Sequence, residues 1–163
     1  GSYIIISYPH TSNWDTIIGY FALLGSNIKP AIVVKDTWNL PVVGKLAQAA
    51  GIVFIDRDNV DFESIKRQVK DEGRSIVLAI EGTRDKVDKV KKGFYFFAKD
   101  LELDIIPTVV DYKNKQLYLM NKIDIKDNNG KTKSISKIMK ELRTAYEPIA
   151  GTSRHPEKES KIR

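Results

Sequence analysis

The chain has 163 residues, a length that argues for one domain rather than two, and its 42% apolar and 29% charged residues form an ordinary globular balance able to build a core. It holds no cysteine, which excludes disulfides, thiol nucleophiles and cysteine-ligated metals and fits a reducing cytosol. The net charge of +6, from 27 basic and 21 acidic residues, favours anionic partners such as phosphates, acidic lipid surfaces, carrier proteins or nucleic acid, although lysines that only solvate the surface give the same excess.

No apolar run approaches the roughly 20 residues of a membrane-spanning helix, and no signal peptide is visible. The first strand follows Gly1-Ser2 at once, which leaves room for an upstream segment. Residues 3–8 read as a buried strand stopped by Pro9, and 13–24 as a helix capped by Ser12 or Asn13, with Asp15 in its first turn and Gly25 at its end. A strand is expected at 31–35, a helix at 41–50 that starts on Pro41 and ends at Gly51, and a strand at 52–55. Next come a helix at 62–72 stopped by Gly73, a strand at 75–80 and a short aromatic helix at 93–99. Strands at 105–111 and 116–121 and an amphipathic helix at 135–146 complete the series, with Asp127-Asn128-Asn129-Gly130 as turn chemistry between them.

Strands and helices alternate. The expected fold is therefore α/β, a single domain over residues 1–150 with a largely parallel sheet and helices on both faces, followed by a polar tail at 151–163 that is loose at its end. The polar clusters His10 to Asp15, Asp56-Arg57-Asp58 and Glu81-Gly82-Thr83-Arg84 each follow directly after a strand. In a parallel sheet those strand ends share one edge, where ligands of open α/β sheets bind.

His10 and Asp15 stand five residues apart across a loop short enough to bring the carboxylate back to the imidazole. A carboxylate on one ring nitrogen fixes the tautomer and leaves the other free as a base. The plainer alternative is a first-turn helix acid beside a capping donor. Gly51 to Arg57 places an arginine at a strand end, where it can hold a phosphate bidentately or pair with Asp56 or Asp58 on the surface. At Glu81 to Arg84, Gly82 permits a tight turn whose N–H groups can hold a phosphate or an oxyanion, and an ordinary turn is the alternative. Five basic residues between Arg84 and Lys92 face only Asp85 and Asp88. There is no Gly-x-Ser-x-Gly elbow and no phosphate loop, two histidines (His10 and His155) without cysteine argue against a zinc site, and Ser12 reads as a helix cap rather than a nucleophile.

Taken in order, these residues resemble the glycerolipid acyltransferase family, the 1-acylglycerol-3-phosphate and lysophospholipid acyltransferases. Its His-x4-Asp motif looks like His10 to Asp15, its Gly-x-x-Phe-Ile-x-Arg pattern like Gly51 to Arg57, its Glu-Gly-Thr-Arg motif like Glu81 to Arg84, and its apolar run around a proline like Ile105-Ile106-Pro107-Thr108-Val109. Lys92-Gly93-Phe94-Tyr95 and His155-Pro156-Glu157 resemble a compact bacterial-type branch. Ile80 stands where the family usually has proline, and members often carry more N-terminal sequence, frequently apolar.

The resemblance implies an O-acyltransferase with no bound cofactor and no metal. His10, oriented by Asp15, would deprotonate the hydroxyl of a glycerol-3-phosphate-type acceptor or lysophospholipid, which attacks acyl-CoA or acyl-carrier protein without an acyl-enzyme. Arg57, Glu81, Gly82, Thr83, Arg84 and Lys92 would bind substrate, with backbone N–H groups near Gly82 as oxyanion donors. Location is expected to be cytoplasmic, peripheral at the inner membrane surface. Residues 38–46, with Trp38 and Leu40 most exposed, are expected to dip into an anionic headgroup layer, or else Val42, Val43 and Leu46 pack on the sheet. A non-catalytic lipid- or anion-binding domain of the same fold is the main alternative. A nucleic-acid partner is not expected, since no recognition motif accompanies the basic cluster.

Overall fold

The computed structural model describes residues 1–34, 45–46, 48–81 and 86–162. Its centre is a six-stranded sheet of β1 (Ile4–Ser7), β2 (Lys29–Val34), β3 (Val53–Asp56), β4 (Arg74–Ala79), β5 (Ile105–Asp111) and β6 (Gln116–Leu119), in the order β3-β2-β4-β1-β5-β6. The first five run parallel and β6 pairs antiparallel with β5. β1 lies at the middle, its Ile4, Ile5 and Ile6 essentially without solvent contact, as a strand covered on both faces must be.

The α-helices described in full are α1 (Asn13–Gly25), α2 (Phe62–Lys70), α3 (Gly93–Leu101) and α4 (Ile135–Tyr146). From β1 to β3 the chain steps one way along the sheet, and from β3 to β5 it steps back. Right-handed crossovers then put α1 on one face and α2 and α3 on the other. The packing agrees. Ile65 and Val69 of α2, Phe94, Ala98 and Leu101 of α3, and Ile138, Met139 and Leu142 of α4 share one core with Ile4, Ile6, Ile76 and Ile105. Ile32, Val34, Phe54 and Val77, alternate residues of their strands, pack with Ile52 on the opposite face. The fold is thus α/β, a single domain with a mostly parallel sheet covered on both sides.

Expected and observed elements agree closely, with α4 spanning 135–146 as anticipated. The expected helix at 62–72 ends at Lys70, because Asp71 closes its last turn onto the Arg67 carbonyl before Gly73 takes φ +67°. Of the helix expected at 41–50, residues 41–44 and 47 lie outside the described residues, while 45–46 and 48–49 are helical. Gly51 leaves that segment at φ +83°, so the glycine of the second motif serves a left-handed helix exit into β3. The turn at 127–130 forms, with the Asp127 side chain accepting from the amides of Asn129 and Lys131.

The tail departs from the expectation of looseness. Ser153, Ser160 and Ile162 are buried, Arg143 Nε donates to the Ile162 carbonyl, and Glu159 accepts from the amides of Gly151 and Ser153. Apolar burial of Ile162 and these hydrogen bonds hold it on the domain, although the buried Ser153 hydroxyl finds no partner among the described residues.

Tyr146, the last residue of α4, ties the sheet centre together. Its hydroxyl lies 3.1 Å from the carbonyls of Ile6 and Thr108 and accepts from Thr108 N, and its ring meets Tyr8 edge-on at 4.8 Å. Tyr146→Phe would remove the hydroxyl that meets Ile6 and Thr108 at the sheet centre. A loss of about 1 kcal/mol is expected in urea unfolding, with an unchanged midpoint counting against this role.

Candidate active site

β1 and β4 are neighbours, but the helices that follow them leave to opposite faces, α1 to one and α3 to the other. Their C-terminal ends therefore form a topological switch point, the place where an open α/β sheet offers a crevice. His10 follows β1 and Glu81 follows β4. His10 N donates to Glu81 Oε1 at 2.7 Å across that point.

Asp15 reaches the same place through helix capping. Ser12 is the extended N-cap of α1, its hydroxyl accepting from Trp14 N while the Asp15 carboxylate returns to Ser12 N at 2.9 Å. Asp15 Oδ2 also accepts from Thr11 N at 2.9 Å and faces His10 Nδ1 at 3.4 Å. That last separation is long for a hydrogen bond. The carboxylate caps the helix as a first-turn acid and also lies beside the imidazole. Asp15 Oδ1 accepts from the Tyr112 hydroxyl at 2.7 Å.

Asp15 is 3% exposed and Glu81 1%, yet their ionisation is pushed in opposite directions. Burial pushes the Asp15 carboxyl up, but the bonds from His10, Tyr112, Ser12 and Thr11 outweigh it and hold it below its usual range. Burial likewise pushes Glu81 up and there prevails over the bonds from Ser160 and His10. Burial, then the bond to Asp15, raises the Tyr112 phenol far above its ordinary value, so it stays a proton donor.

Glu81 has a second partner far along the chain. Ser160 Oγ donates to Glu81 Oε2 at 2.6 Å and accepts from Val87 N at 2.9 Å, and the Ser160 carbonyl accepts from the Tyr8 hydroxyl. His155 N donates to Thr11 Oγ1 at 3.2 Å, and the Arg154 guanidinium lies 5.8 Å above the Trp14 ring. The tail thus crosses the His10 loop.

The remaining expected residues are more scattered. Arg57 follows edge strand β3, about 14 Å from β1 by three interstrand spacings, and its Nε lies 3.6 Å from Asp58 Oδ1. Such a surface pair carries little energy. Lys92 is exposed at the N-terminus of α3, one residue after Lys91, whose N donates to the Ile80 carbonyl at 2.6 Å, so this basic stretch returns to the end of β4. Ile80, in place of the usual proline, is fully buried in the core. Gly82, Thr83, Arg84 and Asp85 lie outside the described residues, as do Trp38 and Leu40. Among the described residues no group of three or more acidic or histidine side chains is placed to hold a metal ion.

Tyr112 and Ser160 were not anticipated from the sequence. Tyr112 immediately follows β5, so its place at the ligand-binding edge was a usable signal. Ser160 sits in a polar stretch with none.

A family model described as Acyltransferase matches residues 1–111, and the chain belongs to that family. Its activity class is therefore acyl transfer. No curated protein matched the chain. Tyr112, α4 and the tail all lie beyond the matched residues.

A carboxyl whose folded pKa is depressed contributes stability that is present above its unfolded pKa and lost as pH falls through the folded one. Tyr112→Phe removes one of the donors that depress Asp15. The variant is expected to be less stable at neutral pH by about 1–2 kcal/mol, the gap closing as pH falls through the carboxyl range. Urea unfolding of both proteins across that range checks this. Equal destabilisation at every pH would show that the hydroxyl does not act on the Asp15 charge.

Proposed function

We propose that this domain moves a fatty acyl group from acyl-CoA or acyl-carrier protein to the hydroxyl of a glycerol-3-phosphate-type acceptor or lysophospholipid. The observation that carries this reading is the His10 imidazole standing against the Asp15 carboxylate at the switch point, with that carboxylate held by three further donors.

Asp15 accepts from Nδ1–H and fixes the tautomer, leaving Nε2 to receive the acceptor's hydroxyl proton. The acceptor oxygen then bonds to the thioester carbonyl carbon, whose π electrons move onto its oxygen. When that oxygen re-forms the carbonyl, the C–S bond breaks and the thiolate leaves with the proton held on His10. The imidazolium formed midway lies beside an anion already desolvated and oriented, which limits reorganisation at the reaction step. The substrate supplies the nucleophile, so no acyl-enzyme forms. Arg57, Arg84 and Lys92 supply positive charge for the acceptor phosphate, and amides near Gly82 for the oxyanion. The transfer itself draws on these side chains and amides, with the acyl thioester as co-substrate.

Peripheral attachment to an anionic cytoplasmic leaflet is part of this reading. No helix among the described residues is long and apolar enough to cross a membrane. Trp14 and Phe21, seven residues apart on one side of α1, are 51% and 66% exposed, and Leu46 is 67% exposed. Lys86, Lys89, Lys91 and Lys92 add the charge that anionic headgroups attract.

The test is a matrix of acceptors against both thioester donors, read by mass spectrometry. His10→Ala is expected to lower kcat by about 10³-fold or more, and Asp15→Asn by a comparable factor. Arg57→Ala and Arg84→Ala should raise the acceptor KM more than the donor KM. A His10→Ala protein at wild-type rate, or a trapped acyl-enzyme, would overturn the mechanism. Binding of lysolipid without turnover would leave a non-catalytic lipid-binding domain instead.

A further inference from the structure

The His10 loop is fixed from two sides, and one of them is the C-terminal segment. The path runs from Ser160 Oγ to Glu81 Oε2, through the carboxylate to Oε1, and from Oε1 to the amide of His10, with both hydrogen bonds at 2.7 Å or less. Glu81 is a buried acid with no bond of its own to the imidazole, since its Oε1 meets the backbone of His10 rather than the ring. A carboxylate in that position sets where the main chain of residue 10 sits. It can do so only if its other oxygen is held as well, because a free Oε2 lets the carboxyl rotate about its terminal torsion, which is broad.

We infer that the C-terminal segment 152–162 is a working part of the active site, and that Ser160 is a positioning residue that fixes the Glu81 carboxylate and, through it, His10. This inference rests on the proposed role of His10 as the base. Ser160 lies nearly fifty residues past the end of the family match at 111, so the matched region does not contain the group that completes its own Glu81.

The segment is built so that the hydroxyl can be removed without releasing it. The Tyr8 hydroxyl holds the residue-160 carbonyl, Arg143 holds the Ile162 carbonyl, and Glu159 holds the amides of Gly151 and Ser153. None of these bonds involves Ser160 Oγ. Ser160→Ala should therefore keep the tail in place, losing the bond to Glu81 and the acceptor for Val87 N. A hydrogen bond to a charged group typically corresponds to a factor of about tenfold or more, which is the size of effect to look for.

The experiment compares wild type, Ser160→Ala, Glu81→Gln and the double variant in the full chain. Ser160→Ala is expected to lower kcat about tenfold while both KM values stay within about twofold, the pattern of a mispositioned base rather than lost substrate contacts. Acting through Glu81, the two changes should not multiply, and the double variant should be no slower than Glu81→Gln alone. Independently of activity, exchange of the His10 amide hydrogen, read by NMR, should speed about tenfold in Ser160→Ala while the amides of Thr11 and Ser12 keep their protection. If Ser160→Ala lowers thermal stability too far to assay at ambient temperature, Ser160→Thr, which keeps the hydroxyl, should restore kcat in proportion to the His10 amide protection it restores. Wild-type kcat and unchanged His10 exchange in a folded Ser160→Ala protein would overturn the inference, as would multiplicative losses in the double variant. If wild type transfers no acyl group to any acceptor, the proposed function fails on its own, and the amide exchange still decides whether Ser160 holds Glu81 and His10.

Discussion

Three consecutive amides, those of His10, Thr11 and Ser12, all donate to carboxylates, the first to Glu81 and the other two to Asp15. The rest of the site follows from this clamp. A carboxylate taken out of water must be met by donors or give up its charge. The loop after β1 supplies those donors from its backbone. Because they are peptide groups rather than side chains, using them fixes the main chain on both sides of the His10 Cα, while the ring faces Asp15. The same three hydrogen bonds tie down the loop and supply the buried acids with donors.

The sheet decides which carboxylates can take part. β1 lies between β4 and β5, so the loop after it is bordered by the ends of both. Glu81 arrives from the β4 side and Tyr112 from the β5 side, each within two residues of its strand's last residue. Tyr146 and Thr108 hold β1 and β5 in register just beneath, at Ile6. Side chains brought together from positions 10, 15, 81 and 112 are thus aligned by strand pairing. The loops need not carry that alignment by themselves, the usual advantage of siting chemistry on a scaffold of strand ends.

Much of this was legible in the sequence because the signals are local. The β-branched run at 3–8, the period of α4, and the Ser12-to-Asp15 cap each need fewer than a dozen neighbours to recognise. The contact of Asp15 with His10 belongs to the same class, since a helix N-terminus turns its first-turn acid back onto the preceding loop. Glu81 stood out in the sequence, but not as the acceptor for the His10 amide, a contact spanning 71 positions. Ser160 was not legible at all. Its bond to Glu81 crosses 79 positions, and the stretch around it carries the charge and polarity of a solvated tail. What orders that stretch is the burial of Ile162 and the match between Glu159 and two amides, and neither has a periodic signature.

The opposite shifts of the two acids divide their labour. Asp15 is held as an anion by more donors than its burial can offset, so its charge stabilises the fold at neutral pH and is lost only as pH falls through its depressed pKa. Glu81 has the reverse sign. Its folded pKa is raised, so the fold favours the neutral acid, and that preference is lost as pH rises through the raised value. His10 N and Ser160 Oγ each donate to one oxygen of the Glu81 carboxyl, a pairing that a neutral amide of the same shape, with one acceptor oxygen, would not match. Glu81 touches the backbone of the proposed base and not its ring. The function it serves is therefore best understood as geometry, the placing of His10 relative to a carboxylate that is already charged.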